Sequence, residues 1–197
     1  MDRVHERIFK TPPAAEPVTW AELQSQLRID ADDEETFGES LIVNARKYVE
    51  DLADAQLMPA VSYAYWDRFP TGSGNIVLPY APVRTLDEIT YTDSAGDPQT
   101  LADTVWSVDI NRNPPIVYLD WNQVWPTVRG DVNGVRVEYS NGFADAASVD
   151  GRLKQAILLL AGHWFMFRSG VLTGTISKEI EFGVHQLVDN YVVSLAA

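Results

Sequence analysis

The chain contains no cysteine, which removes disulfides, thiol nucleophiles and zinc–cysteine sites. It fits a protein made in a reducing compartment or one never under redox selection. Positive charge is scarce: 15 Lys and Arg stand against 28 Asp and Glu, a formal net charge of −13. A surface of that sign repels phosphate backbones and anionic membranes, so tight nucleic-acid binding is disfavoured. Long apolar runs are missing too. The longest, LKQAILLLAGHWFMFR at 153–168, has 16 residues with Lys154 and Gln155 in its first turn, where a bilayer requires about 20. The opening MDRVHERIFKTPPAAEP mixes charge with proline and lacks the apolar stretch of a signal peptide, so neither a membrane span nor export is expected.

Catalytic patterns are absent as well. There is no phosphate loop ending in Lys-Ser/Thr, no GxGxxG, no GxSxG, no HExxH and no paired-histidine spacing. His163 lies on the apolar run and His185 is 22 residues away, which reads as a buried, hydrogen-bonded core histidine rather than a metal ligand or base. GSGN at 72–75 precedes the strand-like IVL, so no helix dipole assists anion binding. Asp30, Asp32 and Glu34 alternate as calcium ligands do, but Glu35 stands where that loop needs glycine. The carboxylate pairs Asp32/Asp33 and Asp87/Glu88 are adjacent rather than placed across a cleft. No catalytic residue, cofactor or metal site is therefore assigned. Trp121 and Trp125, four apart in DWNQVWP, leave open a sugar-stacking surface, hence a carbohydrate-binding or adhesion module, against core or subunit-interface packing.

What is present is enough hydrophobic sequence, 46% of 197 residues, for one sizeable domain or one domain with an insertion. Residues 1–18 read as an extended arm because Pro12, Pro13 and Pro17 disfavour helix; it is either a disordered tail or an ordered arm docked on a neighbour. Thr19 and Glu22 fit a capping box for a helix to about Leu27. DADDEE at 30–35 opens a longer helix to about Ala55, its acids at the positive end of the dipole. Leu41, Ala45, Tyr48 and Leu52 form one stripe of it, and Arg46/Glu50 with Lys47/Asp51 lie off that stripe on a wet, charged face.

From about 61 to 143 the period becomes two: Tyr63/Tyr65, Ile89/Tyr91, Trp106/Val108/Ile110, Ile116/Tyr118 and Val135/Val137/Tyr139. Turn signals at DSAGD, NRNPP, Asn133-Gly134 and Asn141-Gly142 separate them, which predicts five or six antiparallel strands. The run at 153–168 carries Leu153, Ile157, Leu160, Trp164 and Phe167 on one stripe and Leu158, Leu159 and Met166 off it, so it requires cover from several directions. A loop with Gly170 and Gly174 then leads to a final helix from about Gly183 to Leu195. Charge follows the same partition: 13 acids against 6 bases in 1–60, 11 against 5 in 61–149 and 4 against 4 in 150–197. The fold class expected is α+β, an α-helical bundle at 19–58 and 150–197 interrupted by an antiparallel β insertion at 59–149.

Six segments, taken in order, resemble the head–tail connector (adaptor) proteins of tailed bacteriophages, in the longer variety with a β insertion. They are PAAEPVTWAELQSQLRID (13–30), ARKYVEDLADAQL (45–57), IVLPYAPVRTLDEITYTDSAG (76–96), VRVEYSNGF (135–143), LKQAILLLAGHWFMFR (153–168) and FGVHQLVDNY (182–191). The chain departs from the family pattern at Phe165, Arg168-Ser169 and Val192. The resemblance implies a virion protein at the head–tail junction, made in the host bacterial cytoplasm. It implies a ring, commonly of twelve copies, bound to the portal protein and offering its other face to a stopper or tail-completion protein, with DNA passing through the channel unbound. The two stripes are expected to pack together as a helical core, Leu41, Ala45, Tyr48 and Leu52 against Ile157, Leu160 and Trp164. Partner contacts are expected in the terminal segments, at Pro12, Pro13, Phe182, Val184, Leu187, Tyr191 and Leu195.

Overall fold

The structure, a computed structural model, describes residues 8–30, 32–167 and 183–189. It is mixed α+β, with three longer helices and eight strands among the described residues. The chain divides into two compact units. One comprises Pro59–Gly142 with the described start of the chain up to Pro12; the other comprises Pro13–Met58 with the described residues from Phe143 onward.

In the helical unit, Thr19 begins α1 (Trp20–Leu27) with the expected reciprocal cap: its hydroxyl accepts from the Glu22 amide at 3.2 Å, and Glu22 accepts from the Thr19 amide at 2.6 Å. Thr19→Ala should lose about 1 kcal/mol of stability, read as a lowered urea midpoint; an unchanged midpoint would show that packing alone holds α1. Arg28 in the left-handed region ends the helix. Asp32–Glu34 forms a 3₁₀ turn and α2 (Glu35–Ala53) follows, so the 30–35 stretch is a helix entry. Its buried line is Gly38, Ile42, Ala45, Val49 and Ala53, with Arg46 and Glu50 beside it.

The expected wet face of α2 needs correction on this point. Arg46 is 5% exposed and Glu50 is fully buried, because they meet each other, Arg46 also meets Glu16, and Glu50 meets the chain that follows the helix. Helix α3 (Gly151–Met166) is capped by Asp150, whose carboxylate accepts from the Arg152 amide at 2.8 Å. It buries Leu153, Ala156, Ile157, Leu160, Ala161 and Phe165. Leu158, Leu159 and Trp164 are half-buried against the same core. Residues 183–188 are helical and bury Val184 and Val188 in that core; the expected continuation to Leu195 and the Gly170/Gly174 loop lie outside the described residues.

In the β unit the strands form two sheets. One has the order β1 (Ile8–Thr11), β2 (Ala60–Trp66), β8 (Val135–Asn141), β4 (Val83–Thr92), β5 (Pro98–Thr100). The other has the order β3 (Ile76–Val77), β7 (Ile116–Leu119), β6 (Trp106–Asp109). All pairings are antiparallel. Eight strands replace the five or six expected, because β3 and β5 are too short to show a period and β1 comes from the arm. The two sheets share one core, with Ala64, Trp66, Ile89, Val135, Val137 and Tyr139 from the first and Ile76 and Val117 from the second, as in a sandwich.

On β2 the inward residues are Ala60, Ser62, Ala64 and Trp66. Tyr63 and Tyr65 take the other face, since the register puts Ala64 opposite Val137 and Ser62 opposite the fully buried Tyr139. Small residues on one strand make room for large ones on the next.

The β4–β5 hairpin turns at Gly96, whose φ of 98° is open to glycine. Asp93 Oδ1 accepts from the amides of Ala95, Gly96 and Asp97 at 2.9–3.0 Å, and Oδ2 accepts from Gln99 Nε2 at 2.9 Å. The Asp97 amide, then the Gln99 side chain and the other two amides, hold the Asp93 carboxyl below its ordinary value of 3.8. A depressed folded pKa stabilises the turn above the ordinary value, and that contribution is lost as pH falls through the folded value. The Gly96 amide resonance should therefore titrate below pH 3.8 and lose that acid transition in Asp93→Asn. A transition that persists in the variant would assign it to another carboxylate.

Candidate assembly surfaces

Of the residues expected to form the helical packing core, Ala45, Ile157 and Leu160 are buried, and Leu41, Leu52 and Trp164 are half-buried against the same cluster. Tyr48 is 38% exposed and meets Trp164 edge-on, ring centroids 6.5 Å apart. The centre of the buried line thus runs through Ile42 and Val49, one residue along from Leu41 and Tyr48. The latter form its flank, Leu41 half-buried and Tyr48 partly in solvent.

Of the expected partner residues, Pro12 is exposed and Pro13 half-buried. Val184 is fully buried in the helical core, and Leu187 packs against that core while staying half-buried. Phe182, Tyr191 and Leu195 lie outside the described residues. The arm itself is split. Residues 13–18 belong to the helical unit, where Pro17 and Val18 are buried and Glu16 receives Arg46 Nε at 2.6 Å. Residues 8–11 form β1 on the free edge of β2. Lys10 there reaches over β2 to bond Glu138 of β8, a carboxylate only 8% exposed; that hydrogen bond raises the Lys10 pKa.

The two tryptophans of DWNQVWP have different roles. Trp125 stacks on Phe69 at 5.0 Å with the rings 7° from parallel, and its indole N–H donates to the Gly74 carbonyl at 2.8 Å. Trp121 is 96% exposed, and Val124 and Val132, which follow it in the chain, are both more than three-quarters exposed. Sequence reasoning did not single out the two valines, which stand in a loop without period. A cavity of about 380 Å³ is lined by Val124 together with Arg68, Phe69, Pro70, Trp125 and Val128, among others. The GSGN stretch supports Trp125 and closes a loop in which the Gly74 amide donates to the Thr71 carbonyl.

Among the described residues no group of three or more His, Asp or Glu could hold a metal ion, and no helix is long and apolar enough to cross a membrane. Asp87 accepts from Thr85 and Ser140, and Glu88 from Arg136 and Thr100: both are tied into the sheet surface. His163 differs from the hydrogen-bonded core residue expected. It is half-buried with its ring 4.9 Å from that of Phe167, and its buried Nδ1 has no hydrogen-bond partner among the described residues. His185 is exposed.

No protein-family model matches the chain, and no curated protein matches it. Solved structures do. A chain in the virion of a native gene transfer agent particle is 20% identical, covers 97% of both chains and has a TM-score of 0.79. A chain in the neck of the native particle, computed with C12 symmetry, is 22% identical with a TM-score of 0.70, covering 98% of this chain and 96% of that one. A chain in the neck of the empty particle, computed with C6 symmetry, is 23% identical with a TM-score of 0.74, covering 100% and 98%. The likeness is one of fold, and it includes both units.

Proposed function

We propose that this chain is a structural protein of a virion neck. It acts as a head–tail adaptor: a ring of about twelve copies sits on the portal protein, extends the DNA channel and presents a docking face to the stopper or tail. The observation that carries this reading is the end-to-end likeness of fold, 97–100% of the chain, to chains of virion and neck particles, one computed with C12 symmetry. The order of the six resembling segments supports it independently. So does the character of the surface, with apolar side chains held out into solvent at Trp121, Val124 and Val132, as subunits of an assembly carry.

The net charge of −13 suits a channel through which DNA slides, since like charge prevents adhesion. The protein is synthesised in the host cytoplasm and acts at the head–tail junction, with no cofactor. The test is native mass spectrometry of the protein alone and mixed with portal rings. A mass of about twelve chains, or a stoichiometric complex with a portal, is the expected result; a species that stays a single chain and binds no portal overturns the reading.

A further inference from the structure

We propose that Ile8–Thr11 is an exchanged strand: in the assembled protein the arm of one copy adds to the β2 edge of the next, and its Lys10 neutralises Glu138 of that neighbour. The proposal rests on the ring reading above.

Four observations carry it. First, β1 is a four-residue edge strand that pairs with β2 alone, and its register breaks between Phe9 and Thr11. Second, the chain passes from the β unit into the helical unit at Pro12-Pro13, with Pro12, Ala14 and Ala15 exposed. Two consecutive prolines lack amide donors and restrict the backbone, so β1 is joined to the helical unit by an exposed link that no ladder holds.

Third, the seat needs an occupant. Tyr63 of β2 lies opposite both Ile8 and Glu138, and Glu138 in turn lies opposite Glu88 of β4. Arg136 pairs with Glu88 at 3.2 Å, and Lys10 pairs with Glu138. Without an arm, β2 presents an open edge and Glu138 loses its cation next to a second carboxylate. Fourth, every copy carries the same seat, so an arm donated by a neighbour remakes the same ladder and ion pair, which is why strand exchange is a low-cost route to assembly. The charge gives the direction: two chains of −13 repel, and a lysine of one placed against a buried carboxylate of the other offsets that repulsion where they meet.

The absence of cysteine makes the experiment clean. Chains carrying only Ile8→Cys are mixed before assembly with chains carrying only Tyr63→Cys, positions directly opposite in the register, and then oxidised. A heterodimer on a non-reducing denaturing gel is the expected result. The double variant Ile8→Cys with Tyr63→Cys should give a ladder of covalent multimers up to the ring. Loss of both thiols with every chain at monomer mass shows the arm seated on its own chain and overturns the proposal, as does failure of the thiols to join at all. If Tyr63→Cys impairs folding, Thr11→Cys with Val61→Cys, also opposite, serves the same test. Native mass of the same samples separates the two ideas: rings without covalent multimers overturn only the exchange, whereas absence of any oligomer overturns the ring as well.

Discussion

Arg46→Met should destabilise the helical unit by about 3–5 kcal/mol, the range for breaking a buried ion pair from one side. Arg46 Nη1 donates to Glu50 Oε2 at 2.7 Å, and Nε donates to Glu16 at 2.6 Å. The other Glu50 oxygen accepts from Gln56 Nε2 at 2.8 Å and from the Leu57 amide at 2.9 Å. Burial alone would lower the Arg46 pKa, but the bond to Glu16 and the charges of Glu50 and Glu16 raise it on balance, so the guanidinium stays charged. Methionine would fill much of the space but remove the cation that Glu50 Oε2 meets inside the unit.

The same group also holds two pieces of chain that no helix holds. Asp54 in the left-handed region ends α2, and Glu50 then collects the turn through Gln56 and Leu57, while Arg46 pins the segment at Glu16. The variant should therefore loosen residues 13–18 and 54–58 together, visible as faster amide exchange in both. Adding Glu50→Gln should recover part of the loss, because the buried charge that Arg46 offset is then removed with it. A loss under about 1 kcal/mol, as for a surface pair, would show that the network is solvated.

The same pair shows where sequence reading stops. An Arg and a Glu four residues apart look alike on a wet face and in a core, since the spacing sets only that they touch; burial depends on Glu16 and Leu57, which no period reveals. The capping box at Thr19 was legible because its whole mechanism lies within four residues. The α+β class was legible from the change of period near residue 61. The inward face of β2 was not, because its side is chosen by Tyr139 and Val137 across the ladder, and aromatic Tyr63 and Tyr65 outweigh alanine in any hydrophobic reading. Strand β1 was legible only as an arm, its partner lying some fifty residues on. At the candidate assembly surfaces the proline pair was visible, but the value of Lys10 depends on Glu138, a residue known to be enclosed only once four strands are in register.

Gly38→Ala should cost about 2 kcal/mol even though alanine favours a helix interior over glycine by about 1 kcal/mol. A Cβ at Gly38 would sit 2.1 Å from Trp20 Cζ3 and 2.3 Å from Cε3, far inside contact distance. The indole has little freedom to withdraw: Trp20 is buried, and its ring lies 5.7 Å from that of Phe165, which in turn lies 5.8 Å from Phe37. The methyl group must therefore push α1, α2 and α3 apart where all three meet, and overpacking of this kind costs about 1–3 kcal/mol or more. The two effects oppose each other, and the closeness of the overlap decides for the clash. Trp20→Phe shortens the ring that blocks the site, so Gly38→Ala should be better tolerated on that background than alone, a positive coupling in the double-mutant cycle. If Gly38→Ala instead raises the urea midpoint, helix propensity has won, and the Trp20 ring does not lie across α2 in solution.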